Sequence, residues 1–297
     1  MAIVSGSTYG NIALELAGKP AGWLRRVQPP GYEATKVAAA TGESVLVRSA
    51  GRVTLTPVDA DFALAGLGPL LDWALTLPRK LPVGMDGAIQ LLDSNYRVVR
   101  RIEWSQGLLT ELRLPELNAA SKSLFTVGLT WQPEAIRFAK TSSDTGASRL
   151  GKSKAILLSN FRVIGLPFDA SAVIRVALPT VRAKIEAETI GTQRLPQRHV
   201  AGVDLGEVRL EIGARSADAV RDWVAKVIDD GTVTDADRID FGIELLDSSL
   251  KSVLATITLR GCALTGYAEF ELGVAVERPA NVALRFSVGD LDIKAVA

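Results

Sequence analysis

One stretch of the chain has the residue types and spacing of a phosphate-binding loop: Gly146-Ala-Ser-Arg-Leu-Gly151-Lys152-Ser153 fits the pattern Gly-x4-Gly-Lys-Ser/Thr. In such a loop, backbone N–H groups cradle the β-phosphate, the lysine reaches the β and γ oxygens, and the hydroxyl binds magnesium. Gly151, Lys152 and Ser153 would then serve a nucleotide-binding ATPase. The loop must join a buried parallel strand to a helix. Here Lys140 to Asp144 is polar, and AILLSNFRVIG, Ala155 to Gly165, has the character of a strand. A linker rich in Gly, Ser and Lys produces the same string by composition. The linker is the favoured interpretation and the ATPase the alternative.

The remaining reactive groups give less. His199 is the one histidine and lies in the polar run QRLPQRHVAG, with no nucleophile elbow nearby. Cys262 is the one cysteine; it cannot form an internal disulfide, and among small apolar residues it reads as a buried thiol. One His and one Cys are too few for a usual zinc site. Asp93 and Asp247 end matching strands and read as hairpin-turn residues rather than paired acids. Trp73 and Trp223 sit on the apolar stripes of amphipathic helices and read as core. No catalytic residue, metal or cofactor is expected.

Composition narrows the partners. With 297 residues, two domains are expected, although a single large β fold also fits the length. Lys plus Arg number 34 against 33 Asp plus Glu, so no net field draws the chain to nucleic acid or to anionic membrane. The start MAIVSGSTYG lacks the pattern of a signal peptide, and the most apolar stretch, Phe62 to Leu77, is broken by Gly66, Gly68, Pro69 and Asp72. A soluble protein made in the cytoplasm is expected.

The elements that position these residues occur twice. LDWALTLPRKLPVGMDGAIQLLDSNYRVVRRIEW (Leu71 to Trp104) is echoed by RDWVAKVIDDGTVTDADRIDFGIELLDSSLKSVLATITL (Arg221 to Leu259). Each has an Asp-Trp pair in a helical pattern, a break, an alternating strand ending Leu-Leu-Asp-Ser, and a second alternating strand. TWQPEAIRF, ending at Phe138, is likewise matched by ERPANVALRF, ending at Phe286. Between the copies, Lys140 to Lys154 reads as a linker. The division expected is therefore 1–140, linker 141–154, and 155–297.

Period-two alternation predicts strands at Val208/Leu210/Ile212, Ile239 to Leu245, Val253 to Leu259, Leu272/Val274/Val276 and Val282/Leu284/Phe286. After Ser216, the residues Val220, Trp223, Val224, Val227 and Ile228 predict a helix that Gly231 stops. In the first copy Pro69 opens the equivalent helix and Pro78 closes it. The patterns give two mainly β domains with one flanking α-helix each.

The run Val181 to Gly213, followed by the Arg221 block, resembles the tail tube proteins of contractile phages and related injection systems. They share an extended strand, a long polar loop, a Leu-Pro turn, a strand opened by glycine, the Asp-Trp helix and an Ile-x-Leu-Leu-Asp strand. PELNAASKSLFTVGLTWQPEAIRF resembles the family's closing segment. The opening third, Met1 to Thr56, departs more, with its polar loop shortened to Gly31 to Ser44, and the second copy lacks the Leu-Asn-Ala turn. The resemblance implies rolled antiparallel sandwich or barrel domains that form sixfold rings stacking into a tube. Three copies of a two-domain chain would supply six domains, so a trimer is expected to make a pseudo-hexameric ring. The implied protein is a non-enzymatic structural subunit whose partners are itself and other tail, tube or baseplate proteins. A repurposed bacterial cytoplasmic polymer is a further alternative. The polar arm from Lys184 to Val200 is expected to be either an assembly element, with Lys184, Glu186, Glu188, Arg194 and Arg198 as contact candidates, or a solvated surface loop.

Overall fold

The computed structural model describes residues 11–295 except 35–36, 42–43, 49–52, 65–67, 80–82, 141–154, 189–196, 229–233 and 271–280. The fold is mainly antiparallel β, in two rolled sheets with one α-helix flanking each. The linker 141–154, Gly231 and the Leu272 to Val276 strand expected from the sequence lie outside the described residues.

In the first half the strands are β1 (Asn11–Leu16), β2 (Lys19–Gln28), β3 (Tyr32–Ala34), β4 (Val37–Thr41), β5 (Ser44–Arg48), β6 (Val53–Leu55) and β7 (Val58–Ala63). Helix α1 (Gly68–Leu75) follows, then β8 (Met85–Leu92), β9 (Val98–Arg113), β10 (Leu117–Asn118), β11 (Thr126–Gln132) and β12 (Ala135–Lys140). The second half has β13 (Phe161–Ile164), β14 (Val173–Ala177), β15 (Thr180–Glu188), β16 (Gln197–Asp204) and β17 (Glu207–Ile212). Helix α2 (Ala217–Val227) precedes β18 (Ile239–Leu246), β19 (Val253–Glu269), β20 (Val282–Ser287) and β21 (Asp290–Ala295).

The two halves share a pairing scheme, antiparallel throughout among the described residues. In the first half β1 pairs β2 and β8, β9 pairs β8, β11 and β12, and β7 pairs β2 and β11, which closes a barrel. In the second half β13 pairs β18, β19 pairs β18, β20 and β21, and β17 pairs β14 and β20. Each of these pairings has its counterpart in the first half, with β20 in the place of β11 and β21 in that of β12, so Phe286 matches Trp131 and not Phe138 as the sequence suggests. The counterpart of β1–β2, a β13–β14 pair, is not formed among the described residues, so the second sheet stays open.

Local chemistry repeats as well. Asp93 accepts N–H bonds from Asn95 (2.8 Å) and Arg97 (2.9 Å), while Asp247 accepts them from Ser249 (3.1 Å) and Lys251 (3.2 Å). These carboxylates close the β8–β9 and β18–β19 hairpins, as turn residues do. In each hairpin the third residue after the Asp is left-handed, with φ of 60° at both Tyr96 and Leu250. The long strands β9 and β19 bend at a bulge in the same place, where Gln106 (φ 49°) and Gly261 (φ 60°) are left-handed. A carboxylate holds each bulge: Asp86 Oδ1 accepts from Gln106 N and Asp240 Oδ1 from Gly261 N, both at 2.8 Å. A bulge lets one strand serve two different neighbours along its length. Before the bend β9 pairs β8 and β12; beyond it β9 pairs β11.

The core follows the alternation. Val208, Leu210, Ile212, Leu284 and Phe286 are fully buried, as are Ala255, Ile257 and Leu259. Trp73 on α1 packs edge-on to Trp131 (5.6 Å), which also stacks at a tilt on Trp104 (5.2 Å). In the second half Trp223 is partly buried against Phe168 (5.7 Å) and Phe286 (6.1 Å). Ile228, expected on the α2 stripe, is instead exposed at the C-cap, where the helix has already ended. The Cys262 thiol is buried, and desolvation pushes its pKa up to about 12, the direction of an inert core thiol.

The opening third corrects one expectation. Where a shortened loop is expected, between Gly31 and Ser44, the described residues form the strands β3 and β4. β3 pairs β6 and β4 pairs β5, so the described strands between β2 and β7 are paired with one another. The arm β15–β16 occupies the same place between β14 and β17.

Candidate functional site

Among the described residues the most distinctive feature is where the two halves meet. Among the described residues no group of three or more His, Cys, Asp or Glu side chains is placed to hold a metal. No helix among them is long and apolar enough to cross a membrane. What the sequence builds is a strand exchange across the 141–154 interval. β15, from the second half, adds to the free edge of β9 through Thr180↔Arg113, Val181↔Leu112 and Arg182↔Glu111. In return β10, from the first half, pairs β14 through Leu117↔Val176 and Asn118↔Arg175. The Leu-Asn-Ala turn therefore serves the other half of the chain: Asn118 Oδ1 accepts from Ala120 N at 2.9 Å, and Ala119 N donates to Ile174 O at 3.0 Å.

An edge strand carries unpaired N–H and C=O groups, and adding a strand satisfies them. Apolar packing supplies the rest. Leu112, Leu117, Val176 and Val181 are all 0% exposed and belong to a single apolar cluster that runs through both sheets. Val181 can be buried because it alternates with Arg182, whose side chain faces away.

That other face carries a ladder of charges. Arg26 on β2 bonds Asp61 at 2.6 Å and also reaches Asp59 on β7. Arg113 on β9 pairs with Asp59, with Glu111 at 2.7 Å, and donates to Thr130 Oγ1 at 2.7 Å. Arg182 on β15 completes the row, its Nε 2.9 Å from Glu111. Burial alone would raise the Asp59 pKa, but the hydrogen bonds from Arg26 and Arg113 outweigh it and hold the carboxyl below its ordinary value. A second row runs Glu15–Arg101 (2.6 Å), Arg101–Glu103 (2.9 Å) and Glu103–Arg137 (2.9 Å). The Arg101 hydrogen bond is the main reason Glu103 also sits below the ordinary carboxylate value. Partly exposed pairs like these contribute about 1 kcal/mol or less each, so their value lies more in fixing register than in strength.

The residues singled out from the sequence are placed as follows. Lys184, Glu186 and Glu188 lie on β15 past its contact with β9; they alternate along one exposed face of the arm. Glu186 faces His199 across the hairpin, with Oε2 3.4 Å from Nε2. Arg198 is the partner of Ala187 and so lies on the opposite face from those three. Arg194 lies outside the described residues, as do Gly151, Lys152 and Ser153. Sequence reasoning missed the Arg182–Glu111–Arg113–Asp59–Arg26 ladder. Its only sequence signal is the alternation Asp59-x-Asp61 and Glu111-x-Arg113, which by itself reads as an ordinary solvated strand face.

No family model matches the chain, and no curated protein matches it. Solved structures do. The tube-terminating cap of the anti-feeding prophage is 14% identical, over 46% of this chain and 89% of its own, with a TM-score of 0.38. The sheath–tube complex of the extracellular contractile injection system PVC gives 16% identity over 46% of this chain and 88% of its own, TM-score 0.38. Hcp1 from Flavobacterium johnsoniae gives 12% over 46% of this chain and 95% of its own, TM-score 0.28.

Proposed function

We propose that this chain is a structural subunit of two tandem tube-type domains, 1–140 and 155–297 joined by the linker 141–154. It self-associates into a ring of a phage-tail-like tube, or of the baseplate or terminal adaptor joined to one. The observation that carries this reading is the strand exchange between two halves with the same pairing scheme. One unit already completes the sheet edge of another within a single chain, and repeating that contact between chains would extend it into a closed ring. Three chains would supply six units. The chemistry is main-chain pairing and apolar packing, with no catalytic step. Partners would be further copies and other tail or baseplate proteins, with no direct nucleic-acid specificity and no membrane. The subunit would be cytoplasmic until built into the particle.

The arm β15–β16 would carry contacts between stacked rings through Lys184, Glu186, Glu188, Arg194 and Arg198. Electron microscopy of the purified protein tests the reading. Rings or short tubes are expected at micromolar concentration, whereas dispersed single chains on the same grids would contradict it.

A further inference from the structure

The two halves do not expose equal surfaces, and the difference specifies a partner. On the acceptor side, β9 beyond its bend has β11 on one edge and β15 on the other. The counterpart stretch of β19 has β20 on one edge, from Ala263 to Glu269, and no partner on the other edge among the described residues. The counterpart residues follow from the bulges. Glu111 faces Thr130 just before the bulge that precedes Trp131, and Gly266 faces Arg285 at the bulge that precedes Phe286. Gly266, Tyr267 and Ala268 therefore stand where Glu111, Leu112 and Arg113 stand.

The donor strands correspond through their bulges as well. Val27 faces Ala60 after a bulge at Leu24/Arg26, and Val176 faces Leu210 after one at Val173/Arg175. Counting on from Val27 and Val176, Gly31, Tyr32 and Glu33 stand where Thr180, Val181 and Arg182 stand. Val181 is 0% exposed because it docks on β9, while Tyr32 is 58% exposed. The first half thus presents a docking strand that is largely open to solvent, Tyr32 touching the barrel through its hydroxyl, which donates to Ile136 O at 3.3 Å, and the second half presents an edge with no strand on it among the described residues.

The charges are reversed between the filled contact and the empty one. In the filled contact an arginine on the strand, Arg182, meets a glutamate on the edge, Glu111. In the empty one the strand carries Glu33, exposed and in no ion pair among the described residues. Beside the edge, on β20, stands Arg285 instead. Its guanidinium lies over Gly266, where an added Cβ would stand 2.7 Å from Nε and Nη2. Arg209 is its cross-strand partner, and neither arginine makes an ion pair among the described residues. Arg209, Gly266, Tyr267, Ala268, Ala283 and Arg285 line an open groove.

We infer that a second copy of this chain fills the groove: its Gly31–Glu33 strand pairs with Gly266–Ala268, Tyr32 opposite Tyr267, and Glu33 meets Arg285 and Arg209. The inference rests on the ring-forming reading and adds its register and polarity. The reversal also discourages wrong contacts. A Glu33 strand on the Glu111 edge, or an Arg182 strand on the edge beside Arg285, would set like charges together, so units of the two kinds must alternate around the ring.

Charge exchange in the full chain tests this. Glu33→Arg and Arg285→Glu change exposed side chains, so folding by circular dichroism is expected to match the wild type. Each alone is expected to raise the concentration needed for assembly at least tenfold, and the double variant to restore it. Single variants that assemble like the wild type, or a double variant no better than the singles, would overturn the contact while leaving ring formation standing. A wild type that forms no ring removes the underlying reading instead. As an independent measure, Tyr32→Cys with Tyr267→Cys is expected to give chain-to-chain disulfides on oxidation, because directly opposed antiparallel residues have Cα separations a disulfide can span. Monomer alone on a non-reducing gel would overturn the register.

Discussion

Trp131→Ala is expected to be among the most damaging single substitutions in the chain, costing about 3–5 kcal/mol in denaturant unfolding. Trp131 is fully buried between Trp73 on α1 and Trp104 on β9, so its removal opens a cavity where helix and barrel meet. Neighbours can refill little of it: Gly107 is already so close that an added Cβ would stand 2.9 Å from the Trp131 ring. The comparison that identifies the mechanism is Trp131→Phe. The indole N–H of Trp131 meets no acceptor among the described residues, so phenylalanine removes an unsatisfied donor along with part of the ring. Loss of that penalty, about 1–3 kcal/mol, offsets much of the lost packing. Phenylalanine is therefore expected to lie within about 1.5 kcal/mol of wild type. If both variants were equally destabilised, the N–H would have to be satisfied in solution and the packing account would need revision.

Val181→Asp is expected to release β15 from the edge of β9 while β10 stays paired with β14. Val181 is the central residue of the three by which β15 pairs with β9, opposite Leu112, and both are 0% exposed. A carboxylate there would be buried without a partner, since Arg182 and Glu111 face the other side of the strand. The cost of several kcal/mol is larger than three residues of strand pairing can absorb, so the strand should leave the edge. Limited proteolysis is expected to cut the β15–β16 arm readily in the variant and slowly in the wild type. Urea unfolding is expected to shift to a lower midpoint. An unchanged midpoint together with unchanged proteolysis would mean that β15 stays docked with the carboxylate accommodated.

Much of this architecture was legible in the sequence because it depends on alternation. Strands such as Val208/Leu210/Ile212 have one buried face, and period two marks such a face directly. Both Asp-Ser turns were legible too, since an aspartate after an alternating run has one common use. The β3–β6 pair was not. Its strands Tyr32–Ala34 and Val53–Leu55 are short and exposed, and pairing of that kind leaves little apolar signature. The exchange of β10 and β15 was also hidden, because an apolar residue reads the same whether it packs on its own half or on the other. The ladder was invisible for a further reason: which arginine meets which carboxylate is fixed by register, and register comes from distant strands.

The most direct test of the account is the mass of the particle formed by the purified chain at micromolar concentration. Mass photometry is expected to give a dominant species of three times the 31.6 kDa chain, with averaged particle images showing a six-lobed outline of threefold symmetry. A dominant species at 31.6 kDa that persists as concentration rises would contradict the proposal that this fold exists to build a ring.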